Sequence, residues 1–139
     1  MASEPDRTAM VFVVDDEAVV RDSVCVVVQT MGFAVQGFSS ASEFLDYFES
    51  YDVSGSVCLI ADIQMPKVSG VDLLEQLIAS GKQCPVILVT GHGGAALKDK
   101  ALGLGAAGYL EKPFRPADLQ AVISEIIERD TNEDDGPAR

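Results

Sequence analysis

The stretch Met10-Val11-Phe12-Val13-Val14-Asp15-Asp16-Glu17 decides how this chain folds. Five apolar residues without polar alternation are the pattern of a strand buried on both faces, which is how strands of parallel sheets read. The run stops on three carboxylates, and beyond them the period changes. Val19, Val20, Val24, Val27, Val28 and Met31 recur at spacings of three and four, with Gly32 placed as a stop. Valine favours strands. A strand over 18–31 would be exceptionally long, however, and Arg21, Asp22 and Gln29 fall on the opposite face, as on a helix with one side in solvent. The stretch thus predicts a buried strand over 10–14, an acidic turn and a helix over 18–31.

The same alternation continues downstream. Apolar runs predict strands over 33–38, 57–61, 86–90 and 108–110. Between them, helices are predicted over 41–49 with Ser40 as cap, over 68–79 with Gly81 as stop, in the glycine-rich stretch 95–104, and over 116–129 with Pro116 at the first helical position. Five strand–helix units imply parallel strands joined by right-handed crossovers, hence an α/β fold with an open sheet covered on both faces. Such sheets bind ligands at the carboxyl ends of their strands.

Length and composition agree with one such domain. The 139 residues suffice for a single core, and 47% hydrophobic content with no tryptophan predicts an aliphatic one. The chain has 22 acidic against 10 basic residues, a net charge of −12, and residues 10–129 alone keep about −8, so the acidity belongs to the body of the fold. That balance argues against direct nucleic-acid binding. Cys25, Cys58 and Cys84 are odd in number and lack metal-ligand spacing, so they read as free thiols of a reducing compartment. The first nine residues contain Glu4, Asp6 and Arg7 without an apolar core, and no run approaches 18 apolar residues, so neither a signal peptide nor a membrane span is expected. The expectation is a cytoplasmic protein with a tail over 1–9, a domain over 10–129, and an acidic tail or truncated linker over 130–139.

Residues at the carboxyl ends of the predicted strands carry chemistry: Asp15 and Asp16 after the first, Asp62 after the third, Thr90 after the fourth and Lys112 after the fifth. Each alone has an ordinary alternative, since Asp16 could cap a helix, Thr90 could finish a strand and Lys112 could sit in a solvated turn. Together they need another explanation. Three carboxylates about 4 to 6 Å apart repel by several kcal/mol at an effective dielectric near 20. A hard divalent cation relieves that repulsion, and Mg²⁺ fits because it takes one or two carboxylates and leaves positions for a phosphoryl oxygen. Asp16 and Asp62 are the candidate direct ligands, with Asp15 orienting them or acting through a bound water. Lys112 offers a point charge and Thr90 a hydroxyl to phosphoryl oxygens, which makes phosphorylation of Asp62 the natural reaction.

Four runs in order carry a family resemblance: Val-Val-Asp-Asp-Glu at 13–17, Asp-Ile-Gln-Met-Pro at 62–66 followed by Gly70, Val-Thr-Gly at 89–91, and Gly-Tyr-Leu-Glu-Lys-Pro-Phe at 108–114. They resemble the receiver domain of two-component response regulators over residues 10–129, and Thr-Gly-His at 90–92 is most similar to the FixJ-type branch. The resemblance implies a flavodoxin-like sheet of order 2-1-3-4-5. It implies Asp62 as phosphoacceptor, and Asp15 and Asp16 as an acidic pair that with Asp62 and the Gln64 carbonyl holds Mg²⁺ or Mn²⁺. Thr90, Lys112 and the Gly91 amide would bind the phosphoryl group, Thr90 and Tyr109 would act as the switch, and Gln64 and His92 would tune dephosphorylation. It also implies a cis peptide between Lys112 and Pro113.

The implied partners are a sensor histidine kinase or a histidine phosphotransfer protein, and a second copy of the chain through the face of the fourth helix, fifth strand and fifth helix. That face departs from the family, because six glycines lie between 91 and 108, so a short or mobile fourth helix is expected. Two rival functions lack their residues. A dehalogenase-type phosphatase wants an aspartate where Gln64 stands, and a flavin module wants a Ser/Thr/Gly-rich loop where Asp15, Asp16 and Glu17 would repel phosphate. A purely structural interaction domain would not need all five site residues.

Overall fold

The computed structural model describes residues 9–53 and 55–135, with side chains described as far as Ile127. Five strands, β1 (Met10–Val14), β2 (Ala34–Phe38), β3 (Val57–Asp62), β4 (Val86–Thr90) and β5 (Gly108–Glu111), alternate with five helices. These are α1 (Ala18–Thr30), α2 (Ala41–Glu49), α3 (Gly70–Ser80), α4 (Ala95–Gly103) and α5 (Pro116–Asp135). All strand pairs are parallel, and the sheet order is β2-β1-β3-β4-β5. This is the doubly wound arrangement expected from the sequence.

Alternate residues of each interior strand feed two separate cores. Phe12, Val14, Leu59 and Ala61 face α2, α3 and α4, while Val11, Val13, Cys58 and Ile60 face α1 and α5. The second core is aliphatic as expected, with Val24, Val28, Leu119 and Ile123 closing it. The first is not. Phe12, Phe38, Phe44, Phe48, Tyr47 and Tyr51 gather into one aromatic cluster under α2, with Phe12 and Phe44 ring centroids 5.3 Å apart. Few aromatics in total are compatible with an aromatic core when most of them converge on one strand–helix corner.

The valine-rich segment is helical, because Val24 and Val28 gain burial on the sheet that outweighs their weak helix propensity. Helix α3 starts at Gly70, later than expected, because Ser69 caps it in a reciprocal box with Asp72. Helix α5 continues to Asp135, past the expected stop at 129, and no glycine or proline occurs between Ala117 and Asp135 to end it. Residues 1–8 and 136–139 of the expected tails lie outside the described residues. Among the described residues, no helix is long and apolar enough to cross a membrane.

Candidate functional site

Parallel pairing aligns the strand ends. Val14 of β1 pairs with Ala61 of β3, Asp62 with Val89 of β4, and Thr90 with Glu111 of β5, so the strand-end residues collect in one crevice at the sheet's carboxyl edge. Asp15 and Asp62 are each only 5% exposed and Thr90 is fully buried, whereas Asp16 is open to solvent. Carboxylate oxygens of Asp15, Asp16 and Asp62 all lie within 4.8 Å of one another.

Each buried carboxylate is held by nearby backbone. The Glu17 amide donates to Asp15 Oδ1 at 2.9 Å, and the Gln64 amide donates to Asp62 Oδ1 at 3.0 Å. These are the short local bonds that an aspartate accepts in turns from the amide two residues on. The other oxygens meet Lys112, whose Nζ lies 3.2 Å from Asp62 Oδ2 and 3.6 Å from Asp15 Oδ2. Lys112 is placed by its own amide, which donates to the Thr90 carbonyl at 2.8 Å. The Lys112–Pro113 peptide bond is cis.

Burial pushes the Asp15 carboxyl above the usual carboxylate range, against the opposing pull of the Glu17 amide and Lys112. Burial also pulls Lys112 down, but the hydrogen bond to Asp62 and the charges of Asp15, Asp62 and Glu17 outweigh it and leave the ammonium above its ordinary value. One lysine thus faces three carboxylates, and the site keeps an excess of negative charge. Three hard oxygen donors with that excess suit Mg²⁺ or Mn²⁺.

Around this centre lie the other expected residues. The Gly91 amide donates to Gln64 Oε1 at 3.3 Å, and the His92 amide donates to Thr90 Oγ1 at 3.1 Å. His92 itself is exposed. Tyr109 is half-buried, its hydroxyl donating to Glu111 Oε2 at 3.3 Å and accepting from the Gly94 amide. Gly93 gives it room, since a Cβ there would fall 1.8 Å from the Tyr109 hydroxyl and 2.9 Å from Thr90 Cγ2. Gly70 plays a similar part under the phosphoacceptor candidate, for a Cβ there would lie 2.6 Å from the Asp62 carbonyl oxygen.

Two participants escape a reading of the sequence alone. Arg21, expected on the solvent face of α1, is half-buried and donates from Nη1 to the Asp15 carbonyl at 2.8 Å. The Arg21 bond runs from a side chain to a backbone carbonyl six residues back and leaves no periodic trace in the sequence. Glu111, the hydroxyl's acceptor, stands two residues from Tyr109 on β5, and that period-two spacing is the signal that could have found it.

Comparison with known proteins gives a consistent result. The family model described as "Response regulator receiver domain" matches residues 11–124. The response regulator protein TodT of Pseudomonas putida is 38% identical over 120 residues, covering 85% of this chain and 51% of TodT. The transcriptional regulatory protein FixJ of Azorhizobium caulinodans is 40% identical over 119 residues, covering 86% of this chain and 55% of that protein. The crystal structure titled FixJ-N superposes with a TM-score of 0.78 at 34% identity, covering 86% of this chain and 94% of that one. The chain therefore spans about half the length of the full-length relatives it matches.

Proposed function

Because this chain belongs to the response regulator receiver domain family, we propose that it accepts a phosphoryl group on Asp62 from a phosphohistidine donor and relays the event to a protein-binding face. The observation that carries this reading is Lys112 Nζ bridging Asp62 and Asp15, two of the three converging carboxylates. A carboxylate pinned through one oxygen by the Gln64 amide and through the other by a lysine is oriented for attack.

In the step itself, an oxygen of Asp62 attacks phosphorus, the phosphorus–nitrogen bond to the donor imidazole breaks, and the electron pair returns to the ring nitrogen. Lys112 then pairs with phosphoryl oxygens, and the Thr90 hydroxyl and Gly91 amide are the neighbouring donors. Asp16, Asp62 and the Gln64 carbonyl would hold Mg²⁺ or Mn²⁺, with Asp15 beside them or acting through a water. When bound, the ion neutralises carboxylate charge and offers a coordination position to a phosphoryl oxygen. Gln64 and His92, at the rim, are assigned to the rate of phosphoryl loss.

The new charge of roughly −1.5 to −2 draws the Thr90 hydroxyl, which lets Tyr109 leave its seat over Gly93 and alter the outer face. The domain is assigned to residues 10–129, with a sensor histidine kinase or phosphotransfer protein as donor and the cytoplasm as location. A second copy of the chain is assigned to the face of α4, β5 and α5 as a further partner. No turnover of an external substrate is assigned, and neither nucleic acid nor membrane is assigned as a direct partner of this domain.

Incubation with Mg²⁺ and acetyl phosphate tests the reading. Intact mass spectrometry should show one labile phosphoryl adduct on the wild type and none on Asp62→Asn. An equal adduct on both, or none on either, would refute it.

A further inference from the structure

We infer that Arg21 is a positioning residue for the acidic pair: its guanidinium fixes the Asp15 carbonyl and thereby sets how strongly the site takes a divalent cation. The inference rests on the proposed cation site and extends it to a residue outside the carboxylate cluster.

Helix geometry explains how the side chain reaches. Side chains on a helix lean toward its N-terminus and cover the preceding turn. Arg21 opens the helical bonding of α1, its amide donating to the Glu17 carbonyl at 2.9 Å. From that position its Nη1 comes back over the first turn to the Asp15 carbonyl at 2.8 Å. The stem needs a path, and β2 provides one. Gly37 pairs with Val13 near the end of the sheet, and a Cβ at Gly37 would lie 3.2 Å from Arg21 Cδ and 3.3 Å from Cγ. The absent side chain is thus a track for the arginine stem.

Asp15 is consequently held at four points. Its amide donates to the Phe38 carbonyl at 3.2 Å, its carbonyl accepts from Arg21, its Oδ1 accepts from Glu17, and its Oδ2 faces Lys112. Of these four, only the Arg21 bond acts on the carbonyl, the group joined directly to the Asp16 peptide. Asp16 is solvent-exposed, so packing constrains it little, and the backbone ahead of it does most to set its direction. A guanidinium is suited to this task because its charge strengthens the bond to a neutral carbonyl, and its planar fork keeps direction better than an ammonium. Without Arg21 the carboxylates remain but their mutual geometry loosens.

The test is a ¹⁵N NMR titration of the wild type and Arg21→Met with MgCl₂ alone, alongside the Mg²⁺ dependence of acetyl phosphate labelling and metal-free melting. Methionine keeps an apolar stem over Gly37 and removes the donor. Groups that orient metal ligands are worth about 10- to 100-fold in affinity, and a backbone contact should fall at the lower end. The expected result is about a tenfold higher Mg²⁺ midpoint in both titrations, with a labelling rate at saturating Mg²⁺ close to that of the wild type. An unchanged midpoint with only a lower melting temperature would overturn the inference. If Arg21→Met does not melt cooperatively, Arg21→Lys is read in the same way, and a wild-type midpoint there would count against a role specific to the guanidinium. Absence of Mg²⁺ shifts in the wild type would instead refute the cation site of the proposed function.

Discussion

Asp15, Asp62 and Thr90 lie at the ends of three interior strands and are at most 5% exposed, whereas the neighbouring helix α4 buries one side chain, Ala101, and leaves most of the rest in solvent. The crevice is fixed by backbone: amides of Glu17, Gln64 and Lys112 each hold a position in or beside it. The α4 region is fixed by little, with Gly91, Gly93, Gly94 and Gly105 flanking the helix and Gly103 ending it. A domain that receives a small chemical group needs a rigid receptor, and one that passes on a change of shape needs an element of low local stability. The crevice and helix α4 differ in the way the proposed function asks, with Tyr109 of β5 between them over Gly93.

Glycine substitutions separate the two regions. The largest effect is expected for Gly70→Ala, because the atoms nearest the added carbon are backbone, among them the Asp62 carbonyl oxygen at 2.6 Å and Ile63 Cα at 3.0 Å. Backbone cannot rotate away, so urea unfolding should show a loss of about 1 to 3 kcal/mol, with slower acetyl phosphate labelling. Wild-type stability in that variant would mean a crevice softer than these distances imply.

An intermediate effect of opposite sign is expected for Asp15→Asn without metal. Burial raises the Asp15 pKa, so the ionised form costs the folded state, and asparagine removes that cost while keeping an acceptor for the Glu17 amide. Melting in EDTA at neutral pH should show a gain of about 1 kcal/mol, the usual trade between site function and stability. The gain should shrink as pH falls through the carboxylate range, where the wild-type Asp15 takes up its proton. A gain that persisted at acid pH would point to packing instead of charge.

The smallest effect belongs to α4. Gly103 is helical with nothing near its missing side chain, so Gly103→Ala should stabilise by about 0.5 kcal/mol. Hydrogen exchange would read that gain in α4 amides while those of β3 stay unchanged. Equal protection of both elements in the parent would erase the contrast between the two regions.

The same contrast governs how much the sequence reveals. The strand ends are legible because apolar runs stop on Asp15, Asp62, Thr90 and, at β5, shortly before Lys112, and because parallel pairing must bring such stops together. The order of elements is legible from their alternation. Less can be read where a fold is closed by side chains that bond to backbone carbonyls. Lys82 reaches across from the α3–β4 connection to the Phe48 and Glu49 carbonyls at the end of α2, and Arg21 reaches back to Asp15. The aromatic cluster is hidden for a related reason, since Phe12, Phe38 and Phe44 come from three different elements and only pairing register unites them.

The proposed phosphorylation of Asp62 is open to direct observation. Borohydride reduction of the acetyl phosphate-treated protein, followed by peptide mass spectrometry, reads the acceptor directly because it converts an aspartyl phosphate to homoserine. Homoserine is expected at position 62 in the Mg²⁺-treated wild type, and only aspartate there when Mg²⁺ is withheld. Homoserine at 15 or 16 with position 62 unmodified would contradict it.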